Sequence, residues 1–380
     1  LPAKEELANW FSTHNVHVHW VLKASASLDA WLFGEVNLIR LMWVGVAFFI
    51  LFYRTLLSAC LKWKIPEAWI IPLPFILFQP SYWGTMTWAT TSLHNFPGIL
   101  FAFSAILLWE KSEASHKALA LICLISALFT NGFGVAALIA IISLEFFSLV
   151  KNHFETRAPN STASFISLGA LVGVLAGWIF FTTWQGILFF AGIDGLNILL
   201  LFQFFTNFLG SCIHFLGSPW ITFLAIAQLG VFILLSTRGL PRKNPELYFF
   251  ILYLLLCAIV TTFGRADMGP RQGLASRYRI YSTLLVGIQY LGLAQLYREK
   301  WEAKCWILAS VTGIALLFFA SSLLVNLNNL AKIRDRLLAD KVRWTIGEPI
   351  QEFPYPEHAA RVLKETGEAG IFLPRDGSEH

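Results

Sequence analysis

Charge is what this sequence has least of. Asp, Glu, Lys and Arg together supply 13% of 380 residues, too few to coat a soluble domain of that size. Cysteine is scarce too. Cys60, Cys123, Cys212, Cys257 and Cys305 lie in or beside apolar runs with no metal-ligand spacing, so they read as small hydrophobes. Neither a disulfide framework nor a metal site is expected. Short segments of alternating polarity are missing, which excludes a transmembrane β-barrel. The formal net charge of +5 is spread over short turns and points to no nucleic-acid partner.

What remains is apolar. Hydrophobic residues make up 56% of the chain and mean hydropathy is +0.62. Apolar runs of roughly 18–22 residues recur, the length that crosses a hydrocarbon core of about 30 Å. The fold class is therefore all-α, a polytopic transmembrane helical bundle. Expected spans lie near 37–59, 67–79, 96–109, 118–130, 133–150, 163–182, 219–237, 246–263, 280–297 and 305–325. Residues 1–36 form an N-terminal segment with an interfacial helix, 37–325 the transmembrane domain, and 326–380 a C-terminal tail.

Basic turns near residues 62, 114, 154, 240 and 301 are set in the cytoplasm by the positive-inside rule. Parity then allows two crossings between the turns near 154 and 240, where three apolar segments exist. The segment left out is 196–216, because Gln203, Asn207, Ser211 and His214 share one helical face and suit an interfacial helix. A span with that stripe buried against other helices is the alternative. The two runs around Asn131-Gly132 must form a hairpin with its tip outside. With 196–216 removed, about ten crossings remain and both ends lie outside. The chain opens at Leu1, and one further span upstream is expected.

That topology puts Gly264–Arg279 outside, against the positive-inside pattern. The stretch holds Arg265, Arg271, Arg277 and Arg279 with a single carboxylate, Asp267. Guanidinium forks match phosphate and carboxylate, and Gly264, Gly269, Pro270 and Gly273 favour an irregular backbone whose N–H groups can face an anion. The reading is a phosphate or pyrophosphate site; the alternative is a structural loop whose arginines pair with Asp267, helix C-termini and outer acidic residues. A second outer cluster, Trp10 to Trp20, carries His14, His17 and His19, as substrate contacts or as interfacial histidines. A third runs from Pro80 through Tyr82, Trp83 and Trp88 to His94-Asn95, fit for an aromatic belt or for a sugar or isoprenoid.

Ordered segments of the chain resemble the C-type glycosyltransferases, membrane enzymes that use polyprenyl-phosphate sugars. They are Phe11-Ser12-Thr13-His14-Asn15-Val16-His17, Leu32-Phe33-Gly34, Gln79-Pro80-Ser81-Tyr82-Trp83 with Trp88, Asn131-Gly132, Phe263-Gly264-Arg265 and Ala275-Ser276-Arg277-Tyr278. The resemblance implies a lipid-phosphate site at Arg265, Arg271, Ser276, Arg277 and Tyr278. It implies a substrate groove at Asn15, Tyr82, Trp83, Trp88 and His94. A catalytic acidic residue is implied in the first outer loop, expected upstream of Leu1, with a divalent cation only if that loop is present. Val16 and Val18 stand where the family pattern has charged residues, and the catalytic group stays unassigned, with His14 and His17 as candidates. Expected partners are membrane lipids, a polyprenyl-phosphate sugar donor and other membrane subunits, in the bacterial inner membrane. Two functions remain open: transfer of a lipid-linked sugar to an extracytoplasmic acceptor, or a non-catalytic, glycosyltransferase-like subunit of a membrane complex. The tail is expected to hold an amphipathic helix at Lys332–Lys341, a turn at Phe353-Pro354-Tyr355-Pro356 and a second helix from Glu357, as a small outer cap.

Overall fold

The computed structural model describes residues 18–111, 113–155, 161–184, 197–302 and 305–346, with isolated positions between 348 and 365. Every regular element among them is helical. The helices are α1 (Trp20–Phe33), α2 (Leu38–Lys62), α3 (Pro72–Leu77), α4 (Trp83–Met86), α5 (Ala89–Trp109), α6 (Ala114–Thr130) and α7 (Gly134–Glu155). They continue as α8 (Ser161–Trp184), α9 (Ile198–Gly210), α10 (Ser218–Thr237), α11 (Leu240–Lys243), α12 (Pro245–Arg265), α13 (Arg279–Glu302) and α14 (Cys305–Thr345).

Seven helices among the described residues are long and apolar enough to cross a membrane. Six coincide with expected spans: α2, α5, α7, α10, α12 and α14. The seventh is Ile198–Leu216, α9 with its 3₁₀ extension Ser211–Leu216, which the sequence reading set aside as interfacial. The expected crossings at 67–79, 118–130, 163–182 and 280–297 are not among the seven.

Helix starts follow local chemistry. Asn37 caps α2 by accepting from the N–H groups of Ile39 and Arg40. Asn197 caps α9 in the same way, and Asn244, followed by Pro245, caps α12. The turn between α1 and α2 closes on a buried carboxylate. Asp29 takes Arg40 in a two-pronged pair, Nε to Oδ1 at 2.6 Å and Nη2 to Oδ2 at 3.1 Å, and also accepts the Asn37 N–H at 2.6 Å.

The chain between α2 and α5 does not form one helix. Pro66, Pro72, Pro74 and Pro80 break it into a 3₁₀ turn at Glu67–Ile70, the short α3, and a second 3₁₀ turn at Pro80–Tyr82. It runs alongside α13 in the opposite direction. Tyr290 Oη donates to Trp69 O at 2.8 Å, Leu73 and Leu77 lie against Gly287, and Arg279 Nη1 donates to Ser81 O at 2.9 Å. Its own side chains also close its gaps: Tyr82 Oη donates to Leu77 O, and Gln79 Nε2 to Phe75 O.

α14 lies over this broken segment, with Phe319 edge-on to Phe75 at 6.2 Å. It runs unbroken through 41 residues, about 60 Å at 1.5 Å per residue, twice a hydrocarbon core. The expected helix at Lys332–Lys341 is therefore a continuation of the 305–325 span, and the boundary drawn at 326 falls inside one helix. The expected turn at 353–356 lies outside the described residues; within the expected second tail helix, 357–366, the described positions 357, 360–362, 364 and 365 are helical.

At the basic-turn end, two buried carboxylates meet lysine and tryptophan donors. Glu246 accepts from Lys62 Nζ at 2.5 Å and Trp63 Nε1 at 2.6 Å, and Glu145 accepts from Trp109 Nε1 at 2.8 Å with Lys117 Nζ at 3.4 Å.

The Asp29 pair predicts a pH response. Burial raises the Asp29 pKa, but hydrogen bonds from Arg40 and the Asn37 N–H, with the Arg40 charge, outweigh it and hold the group below its ordinary range. A carboxylate depressed in the folded state stabilises fully above its unfolded pKa and loses that contribution as pH falls through the folded value. Thermal unfolding in detergent should show a gap between wild type and Asp29→Asn that is full at neutral pH and closes in acid. Parallel pH profiles would contradict the assignment.

Candidate anion-binding site

The arginine stretch caps one end of the bundle as two 3₁₀ turns, Ala266–Met268 and Pro270–Leu274, between α12 and α13. Two contacts seat it on α9. Asn207 Nδ2 donates to Pro270 O at 2.8 Å. Gly273 lies so close that a Cβ there would meet Phe204 O at 2.7 Å and Asn207 Cβ at 3.1 Å. One turn along α13, Ser282 Oγ accepts from Cys212 N at 3.2 Å and donates to Leu209 O. Residues 204–212 are thus all tied to the 270–282 stretch.

The far end of the loop locks onto the chain preceding α5. Arg279 donates from Nε to Leu274 O at 3.0 Å and from Nη1 to Ser81 O. Ser276 faces Gly84, where an added Cβ would sit 2.2 Å from Ser276 Oγ. The Arg277 carbonyl accepts from Thr85 Oγ1 at 3.3 Å and Asn95 Nδ2 at 3.4 Å. Behind it a buried network joins three elements. Tyr281 Oη donates to Asn95 Oδ1 at 3.0 Å, and Asn131 Nδ2 donates to His94 O at 2.9 Å while standing 3.5 Å from Tyr281 Oη. Asn131 Oδ1 meanwhile accepts from Phe133 N at 3.0 Å, so the α6–α7 hinge is part of the wall.

Of the four arginines, Arg279 is spent on main-chain carbonyls and serves the fold. The other three are not. Arg265 reaches only Met268 Sδ at 3.6 Å, Arg277 lies over its neighbour Tyr278 at 5.0 Å, and Arg271 is exposed in the second 3₁₀ turn. Among the described residues none of the four forms an ion pair, and Asp267 is exposed and engages none of them. Of the structural alternative, Arg279 supplies the main-chain contacts, while acidic partners for the other three are not found among the described residues.

The remaining expected positions divide. Ser276, Arg277 and Tyr278 come together with residues 83–95, and Tyr278 is buried against Phe208 at 5.5 Å between ring centres. Trp83 is half-buried, with an indole N–H that is shielded from solvent and has no hydrogen-bond partner. Trp88 is exposed. His94 packs on His19, with ring centroids 4.1 Å apart. Tyr82 is wholly buried against Phe49 and Phe96, and its hydroxyl is engaged, so its ring belongs to the core. His14, Asn15 and His17 lie outside the described residues. No cluster of three metal-binding side chains occurs among the described residues.

Two residues of this end were not singled out as site residues from the sequence. One is Arg279. The other is His214, in the 3₁₀ turn after α9, close enough to feel the Arg279 charge, with both ring nitrogens buried and lacking hydrogen-bond partners. An arginine opening an apolar run was the available signal for the first; His214 was read only as part of a polar stripe.

No protein-family model, no curated protein and no solved structure matches the chain.

The close seat of Gly273 is testable. Gly273→Ala forces the Phe204–Phe208 backbone away from the loop, and overpacking of this kind costs about 1–3 kcal/mol. A lowered unfolding midpoint, with faster proteolysis within 264–279, is the expected result. An unchanged midpoint would mean the loop does not rest on α9.

Proposed function

We propose that the protein is an integral-membrane, glycosyltransferase-like protein that binds a polyprenyl-phosphate-linked sugar at the outer leaflet and transfers the sugar to an extracytoplasmic acceptor. The observation that carries this reading is the set of guanidinium groups on Arg265, Arg271 and Arg277, gathered on one loop without carboxylate partners among the described residues. A lipid phosphate supplies the missing charge and accepts paired N–H donors from such groups. Ser276 and Tyr278 flank Arg277 in the lipid-phosphate site, and Trp83, Trp88 and His94 provide indole and ring surfaces for a sugar or the first isoprene units.

The topology behind the reading has about ten crossings, in a bacterial inner membrane, with the arginine stretch and both ends on the outer side. The ties of residues 204–212 to the 270–282 stretch support α9 as an interfacial helix rather than a crossing one. The charge contrast supports the orientation, since the opposite end carries the lysines and arginines of the basic turns. The tail beyond α14 is then a small outer cap.

A specific observation favours the second reading, a non-catalytic subunit of a membrane complex. Deprotonating an acceptor hydroxyl needs a free base within reach. Among the described residues near this end, Asp29 and Glu35 are held by Arg40, and Asp267, the carboxylate left over, is exposed on the loop beside the arginines rather than enclosed with an acceptor. The His19–His94 pair is the remaining titratable feature of the wall, and an upstream acidic loop would be the other source of a base.

Two measurements on the purified chain separate the readings. Binding of polyprenyl phosphate should weaken about tenfold or more for each of Arg265→Ala, Arg271→Ala and Arg277→Ala, the scale of a charged hydrogen bond. Binding unaffected by all three removes the lipid-phosphate site. Sugar release from a labelled polyprenyl-phosphate donor establishes the enzyme, while tight binding without release selects the subunit.

A further inference from the structure

At the end of the bundle opposite the arginine stretch, a cavity of about 360 Å³ opens between α7, α11 and α12. Its wall is apolar: Phe146, Phe147 and Val150 from α7, Pro241 from α11, Phe249 and Leu252 from α12. The two hydroxyls that border it are already satisfied within the fold. Ser143 Oγ donates to Ile139 O at 2.8 Å, and Tyr248 Oη shares a hydrogen bond with Ser236 Oγ at 3.1 Å. From Ser143 to Val150 the groove follows α7 for roughly 10 Å at 1.5 Å per residue. Phe146 is 61% exposed and Val150 38%, so the groove is open sideways, where the bilayer lies.

The turn that supplies Pro241 is cationic. Pro241 is followed directly by Arg242 and Lys243, and Arg238 ends the helix before it; all three are exposed. Among the described residues none of them forms an ion pair. Glu246, the only carboxylate between residues 238 and 252, is turned to Lys62 and Trp63. An apolar trough ending under uncompensated cations has the layout of a lipid: chain below, anionic headgroup above. Basic pockets between transmembrane helices bind anionic headgroups on this physical basis.

We infer that the groove between α7, α11 and α12 is a binding site for an anionic glycerophospholipid, with one acyl chain against Phe146, Val150 and Leu252 and the headgroup phosphate on Arg242 and Lys243. Hydrophobic filling alone would accept any phospholipid, so the cations determine the choice. Nothing in this site depends on the arginine stretch or on sugar transfer.

Native mass spectrometry of the full chain, released from detergent after incubation with equal amounts of phosphatidylglycerol and phosphatidylcholine, tests it. The wild type should retain phosphatidylglycerol preferentially, roughly fivefold per basic residue. The double variant R242Q/K243Q should still retain lipid but without preference. Val150→Phe, which narrows the groove, should reduce retention of both lipids while the preference of any residual binding persists. Equal retention of the two lipids by wild type overturns the inference, as does a preference that survives R242Q/K243Q. Undiminished retention by a folded Val150→Phe removes the groove from the site.

Discussion

A main chain that leaves helical geometry inside a bilayer must find its hydrogen bonds within the protein, because lipid offers none. Buried main chain within a bundle faces the same demand, and residues 65–83 show how this chain meets it. Four prolines prevent a helix, and the freed carbonyls at Trp69, Phe75, Leu77 and Ser81 take side-chain donors instead, from Tyr290, Gln79, Tyr82 and Arg279. α13 supplies two of those donors and α14 covers the segment from the side. The arginine loop depends on the same solution. Arg279 is simultaneously the last donor for the broken segment and the clamp on Leu274 O, so the ordering of residues 270–279 follows from it.

Once Arg279 is fixed, the other arginines stand out by contrast. At the basic-turn end the protein buries Glu246 and Glu145 to meet lysine and tryptophan donors, and the carboxylates there are used. At the opposite end three guanidinium groups are presented without such partners, although an arginine at a membrane costs some kilocalories per mole unless it is hydrated or paired, about 2.5–3.5 at the bilayer centre on insertion scales. Arg40, by contrast, is paired with Asp29, so it is Arg265, Arg271 and Arg277 that lack a carboxylate among the described residues.

The sequence carried the class and drew attention to the arginine stretch. Apolar run lengths identified six of the long helices, and the polar break Asn131-Gly132 marked a hinge. The arginine stretch stood out by composition alone. Where reading failed, the cause is physical. The rise in charge at Lys332 looked like the end of a span, yet no glycine or proline occurs between Ile314 and Ile346, so nothing stops α14 at the membrane surface. Tyr82 sat in an aromatic stretch that suggested a surface belt, and only the broken backbone beside it shows why a tyrosine hydroxyl is needed inside. Sequence could not say which of four arginines turns inward, because that depends on a carbonyl at Ser81, almost two hundred residues away.

The central claim is that Arg265, Arg271 and Arg277 await an anion carried by a lipid. The most direct measurement is an electron cryo-microscopy map of the chain in nanodiscs containing a polyprenyl phosphate. The account predicts phosphate-sized density in contact with at least two of these guanidinium groups, continued by a tail along the wall formed by Trp83 and Tyr278. Guanidinium groups paired instead with carboxylates of the chain or of a partner subunit, with no density between them, would contradict it.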